Sequence, residues 1–145
     1  MEFPKKLLKK LQYVQNTAAR IVSGISRREH VTPVLCKLHW LPIEYRIQFK
    51  LLLFVYKSLN GLSPQYIQDM LVPYVPRKNL RSVNKSNLVV PKSSLMSCGD
   101  RAFSIAAPRY WNDLPLDLKT SSTVEIFKQK LKTYLFYKAF SNFLS

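Results

Sequence analysis

The sequence predicts a mainly α protein, a small helical domain of about five or six helices over residues 1–145, with a basic proline-containing loop and one short β pairing near Val89. Three observations carry this expectation. Apolar residues recur at alternating steps of three and four, as one face of a helix requires. Several of these stretches open on hydroxyl–proline or capping-box signals and close on glycine. The chain holds 9 Pro but only 3 Gly, and the tight turns of a sheet-rich domain need more glycine than that.

In chain order, the segment 1–24 reads as a basic amphipathic helix. Leu7, Leu11, Val14, Ala18 and Ile21 fall on one face and Gly24 stops it. Lys5, Lys6, Lys9, Lys10 and Arg20 occupy its other faces, and Arg27 and Arg28 follow the glycine. Thr32-Pro33 signals a short helix to about Leu38, with the threonine hydroxyl as cap and the proline in the first turn. Pro42 opens the helix expected to be central, whose period runs through Ile43, Ile47, Leu51, Phe54, Val55 and Leu59 to a stop at Asn60-Gly61. Ser63-Pro64 starts another short helix, with Tyr66, Ile67, Met70 and Leu71 on the side expected to be buried.

The texture changes over 72–99, where Pro73, Pro76 and Pro91 interrupt regular structure and no acid occurs from Met70 through Gly99. Arg77, Lys78, Arg81, Lys85 and Lys92 make this a basic loop, with Leu88-Val89-Val90 as its strand-like run. Asp100 to Ala107 suits a short helix with Asp100 as cap and Phe103 turned inward; Pro108 and Pro115 bracket Tyr110-Trp111-Asn112. Over 122–140, Ser122-Thr123-Val124-Glu125 matches a capping box, and Ile126, Phe127, Leu131, Tyr134, Leu135 and Phe140 follow at helical spacing.

Charge is the first clue to function. Against 8 Asp and Glu stand 23 Lys and Arg, a net +15, which suits a polyanionic partner whose phosphates neutralise the surface and release counterions. Only Cys36 and Cys98 are present, with no CxxC and no zinc-ligand spacing, so neither a disulfide framework nor a metal or other cofactor is expected. The N-terminus lacks the apolar core of a signal peptide, and apolar runs such as Leu51 to Tyr56 fall far short of the roughly 20 residues of a membrane span. An intracellular site, nuclear or cytoplasmic, is the expectation.

Catalytic motifs are missing. There is no adjacent aspartate pair for two-metal phosphoryl transfer, no GxxxxGK, no GxGxxG and no GxSxG. Cys36 and His39 are three residues apart, which puts them side by side on a helix, but Cys36 sits between Leu35 and Leu38 and reads as a small core residue. Trp40 and Trp111 read as core anchors with their indole N–H groups on backbone carbonyls, while Arg101 and Arg109 beside Tyr110 and Trp111 suggest additional phosphate contacts.

Seven segments taken together resemble a known family. They are LQYVQNTAARIVSG, HVTPVLCKLHWLPIEYRIQFKLLLFVYKSLNG, LSPQYIQDMLVPYVP, LRS, LVVPKS, GDRAFSIAAPRYWNDLP and FKQKLKTYLF. In this order they resemble the tail of the second open reading frame of chicken-repeat-like LINE (non-LTR) retrotransposons, over about Leu11 to Phe140. The resemblance implies a piece of reverse transcriptase from beyond the palm, at or after the thumb, without the endonuclease or the YxDD aspartates. It therefore implies no enzymatic activity, and a role in holding template RNA or target DNA.

The reading that follows is sequence-tolerant binding of RNA or DNA backbone by Arg77, Lys78, Arg81, Lys85 and Lys92, with Lys5, Lys6, Lys9, Lys10, Arg101 and Arg109 assisting. The alternatives are a structural module that docks on the thumb of the full-length reverse transcriptase, and a transposon-derived fragment without independent function. If the apolar stripe Leu7 to Ile21 lacks its parent contact, it favours self-association. Membrane-surface association of this basic helix is a weaker reading, since large aromatics are sparse on its apolar face.

Overall fold

A computed structural model describes residues 5–75, 86–92 and 102–144. Among these residues the protein is mainly α, with seven helices and no sheet: α1 (Lys5–Ser23), α2 (Thr32–Lys37), α3 (Ile43–Leu59), α4 (Gln65–Gln68), α5 (Phe103–Asn112), α6 (Leu116–Lys119) and α7 (Val124–Leu144). The expected β pairing is a single antiparallel bridge between Pro73 and Leu88. The chain forms two compact units, Glu2–Phe49 with Lys132–Ser145, and Lys50–Leu131, and the division falls within α3 and α7.

In the unit containing α1 and α2, the core is Ala19, Leu35 and Phe140, surrounded by Val31, Val34, Leu38, Trp40, Phe136 and Ala139. Cys36 is half-buried in the same cluster, as its apolar neighbours in sequence suggest. The face by which α1 docks differs from the one its apolar period predicts. Its buried residues are Gln15 and Ala19, whereas Leu7 is 55% and Ile21 76% exposed, and Leu11 and Val14 are exposed with them.

The reason is polar. Pro42 leads into α3, whose first-turn amides have no partner within the helix, and the preceding carbonyl at Leu41 is buried. Gln15 Nε2 donates to the Leu41 carbonyl at 2.8 Å, and the Ile43 N–H donates to Gln12 Oε1 at 2.9 Å. Gln12 Nε2 in turn donates to Gln15 Oε1 (2.9 Å) and Asn16 Oδ1 (2.8 Å). Amides spaced three and four apart on α1 thus satisfy both sides of the joint, and an all-apolar docking face has nothing to offer these groups.

Helix ends are set locally. Gly24 (φ 66°) and Gly61 (φ 69°) take the left-handed conformation and close α1 and α3 as the sequence predicts, through Ile25 N–H to Arg20 O and Leu62 N–H to Lys57 O. α2 closes in the same way, with Trp40 N–H to Leu35 O (2.9 Å) and His39 N–H to Cys36 O (3.0 Å), but the left-handed residue is His39 (φ 53°). Its ring stacks on Phe136 at 5.6 Å, a contact that offsets a backbone penalty of about 1 kcal/mol.

Several expected caps are corrected. The N-cap of α2 is Val31, with Thr32 already helical and no capping side chain; α4 is preceded by Pro64, and the Ser63 hydroxyl donates to Ser58 Oγ at 2.9 Å. Thr123, one residue later than expected, caps α7, with Ile126 N–H donating to Thr123 Oγ1 at 3.2 Å. Pro108 lies inside α5, where it is buried and leaves the helix to run on to Asn112. Asp100 lies outside the described residues.

The unit formed by Lys50–Leu131 is built around aromatic rings. Tyr56 stacks on Phe127 with centroids 4.2 Å apart and Trp111 packs beside Phe127 at 6.1 Å, while Tyr56 Oη donates to Ser121 O at 2.7 Å. Within α3 the buried residues are Gln48, Leu52, Val55, Tyr56 and Ser58; of the predicted face Val55 is buried, Ile43, Ile47 and Leu51 are half-buried, and Phe54 and Leu59 are exposed. Tyr66 and Met70, expected to be buried beside α4, are exposed, while Leu71 is buried. α7 buries Phe127, Leu131, Leu135 and Phe140 as predicted, and leaves Ile126 exposed.

Residues 86–90 are held from two sides. One edge bridges to 72–74, with Val89 N–H donating to Val72 O (2.8 Å) and Tyr74 N–H to Asn87 O (2.9 Å). On the other edge Asn112 acts as a third strand would: it accepts the Leu88 N–H at 2.8 Å and donates Nδ2 to the Leu88 carbonyl at 2.9 Å. Trp111, 2% exposed, donates its indole N–H to Ser86 O at 2.9 Å, as predicted for a core anchor. Trp40 lies against the Ala19–Leu35–Phe140 core.

Two outcomes test this account. Gln15→Ala leaves the buried Leu41 carbonyl without its donor, and urea denaturation of the full chain should show a loss of about 1–3 kcal/mol. The Tyr45 phenol is raised above its ordinary value, first by burial and then by the negative charge of Glu44, and it donates to Lys138 O at 3.4 Å. Since the folded form holds this proton more tightly, its contribution is fully present below about pH 10 and is lost as pH rises through the raised value. Ultraviolet titration should show a late phenolate phase that Tyr45→Phe removes.

Candidate nucleic-acid interface

Helical geometry sorts the residues of α1 onto three faces. Gln12, Gln15 and Ala19 are docked; Leu7, Leu11, Val14 and Ile21 form an exposed apolar stripe; and Lys6, Lys9, Lys10, Tyr13, Thr17 and Arg20 lie on the remaining side. Lys5, Lys6, Lys9 and Lys10 are all exposed, as the sequence reading requires of phosphate contacts. From residue 5 to residue 43 the only acid is Glu29. Its carboxylate accepts the Ser26 N–H at 2.8 Å, and its carbonyl accepts Arg20 Nη2 at 3.1 Å.

The other predicted contact residues are distributed differently. Arg77, Lys78, Arg81, Lys85 and Arg101 lie outside the described residues. Lys92 is exposed beyond the bridged segment, and Arg109 is half-buried on α5; both belong to the unit of Lys50–Leu131 and α1 to the other. The lysines of α1 thus share one helix, and Lys92 and Arg109 belong to the other unit.

Two features escaped the sequence reading. Beyond the lysines, Tyr13, Thr17 and Arg20 join with Ile21, Ile25 and Arg27 to line an open cleft of about 770 Å³. The turn at Gly24, which brings Ile25 and Arg27 back beside the end of α1, makes this cleft; the four- and three-residue steps from Lys6 through Lys10, Tyr13 and Thr17 to Arg20 are the signal in the sequence. Lys119 is buried, with Nζ donating to Asn87 Oδ1 (3.0 Å) and Asn112 O (3.2 Å), so this cation serves the fold. Lys130, by contrast, pairs with exposed Asp117 at 2.9 Å, a surface contact worth little.

Among the described residues no group of three or more His, Cys, Asp or Glu is arranged to hold a metal ion, and no helix is long and apolar enough to cross a membrane. The His39 ring is engaged with Phe136 and Cys36 with the apolar cluster. Comparison with protein-family models, with curated proteins and with solved structures finds no match to this chain.

Proposed function

We propose that the chain is a non-catalytic, sequence-tolerant binder of RNA or DNA backbones, of the kind expected from the C-terminal part of a LINE reverse transcriptase. The observation that carries this reading is the basic side of α1, where Lys6, Lys9 and Lys10 are exposed and Glu29, the one acid between residues 5 and 43, is engaged by the Ser26 amide. Cations without a counter-charge attract phosphates and release condensed counterions, and contacts of this type do not depend on base sequence.

Fluorescence-polarisation binding across a salt series tests the proposal. Affinity should fall steeply with salt, by about a thousandfold between low and moderate ionic strength if six phosphates are contacted. Replacing Lys6, Lys9 and Lys10 by Gln should lower the slope by about 2–3 units while stability changes by roughly 0.5 kcal/mol or less per site. Binding that is indifferent to salt, or lost on a change of base sequence alone, overturns the proposal.

A second reading, docking onto the reverse transcriptase thumb or self-association, is favoured by the exposed Leu7–Leu11–Val14–Ile21 stripe. On that reading sedimentation of the full chain shows concentration-dependent association that Leu11→Lys with Val14→Lys abolishes. A monomer at all concentrations removes the self-association half of it.

A further inference from the structure

We propose that the cleft at the C-terminal end of α1 takes an unpaired nucleotide of single-stranded RNA or DNA, with the base stacked on Tyr13 and the flanking phosphate held by Arg20 and Arg27. This rests on the nucleic-acid reading above and deepens it, since phosphate neutralisation alone draws no distinction between single strands and duplexes.

The cleft joins the three chemistries that such a ligand needs. Tyr13 is 69% exposed, an aromatic ring left on the basic side of the helix when the core had Ala19 and Leu35 to bury. Ile21 and Ile25 line the same cleft, so a base entering it meets apolar surface as well as a ring. Arg20 lines the cleft and is tethered through Nη2 to the Glu29 carbonyl, which fixes its guanidinium. Arg27 is exposed and lines the cleft. The Thr17 hydroxyl donates to Tyr13 O at 3.0 Å, which keeps its oxygen available as an acceptor beside the ring.

The approach to the cleft has matching charge. Lys6, Lys10, Tyr13 and Thr17 succeed one another at steps of four, three and four, a line that the helical rise makes about 16 Å long. A strand whose phosphates follow the lysines reaches Tyr13 with its next base. In a duplex that base is paired and stacked inside the helix and has no face to offer, so the aromatic contributes only when the strand is single. The volume of about 770 Å³ lies in the range of small-molecule sites.

The test compares a fluorescein-labelled single-stranded oligouridylate with a labelled duplex of equal phosphate count, at one fixed salt concentration, using the full chain. Tyr13→Leu should weaken oligouridylate binding roughly five- to hundredfold and leave duplex binding unchanged, and Tyr13→Phe should restore most of the loss. Because Tyr13 is exposed, both variants should keep the wild-type melting temperature. Repeated across a salt series, the oligouridylate measurement should show that Arg27→Gln weakens binding and lowers the salt slope by about one contact.

Equal loss on both probes, or no loss on either, overturns the cleft assignment while leaving salt-dependent phosphate binding intact. If the wild type binds neither probe at low salt, the nucleic-acid reading fails and the cleft fails with it. Co-sedimentation with phosphatidylserine–phosphatidylcholine vesicles, without binding of either oligonucleotide, also overturns the proposal and identifies the α1 surface as a lipid contact.

Discussion

The Leu41–Pro42–Ile43 joint must be shielded from water and still have its peptide groups paired, and the amides of Gln12 and Gln15 do this. An unpaired buried carbonyl or amide costs as much as several good apolar contacts give back, so the polar face of α1 wins the docking position over its leucine stripe. Once Gln12, Gln15 and Ala19 face inward, the helical period leaves no choice for the others. Leu7, Leu11, Val14 and Ile21 are turned to solvent, and Lys6, Lys10, Tyr13 and Arg20 take the opposite flank. The surface on which function is proposed is thus a consequence of how one backbone joint is satisfied.

The unit of Lys50–Leu131 solves a related problem with different means. A single bridge cannot hold 86–90 by itself, because isolated two-stranded pairing is marginal in water. Asn112 supplies the missing edge with one side chain, Trp111 adds its indole N–H, and Lys119 reaches Asn87 from α6. Each of these groups sits at or next to the end of its helix. The segment just beyond the basic stretch is therefore anchored by the same residues that close the aromatic core of Tyr56, Trp111 and Phe127.

Charge in this protein has two separate uses. Lys119 is withdrawn from solvent and donates to Asn87 and Asn112, whereas Lys6, Lys9 and Lys10 of α1 are exposed. Sequence counts treat these lysines alike. Burial separates them, because a cation held by acceptors of the fold is withdrawn from a phosphate and an exposed one is open to it.

The sequence by itself determined the helical class, the stops at Gly24 and Gly61, the bridge near Val89 and the inward residues Phe127, Leu131, Leu135 and Phe140 of α7. Those features depend on local backbone preference or on an apolar pattern that has one available core to enter. Only the tertiary structure decided which face of α1 docks, which side of α3 is buried, and that Ser63 bonds to Ser58 instead of capping α4. It also placed Arg27 and Ile25 beside Tyr13, residues that lie on opposite sides of the turn at Gly24. Periodicity finds an amphipathic helix but counts a glutamine as solvent-facing. A partner peptide group elsewhere in the chain, such as Leu41 O, reverses that sign, and it becomes known only once the chain has folded around it.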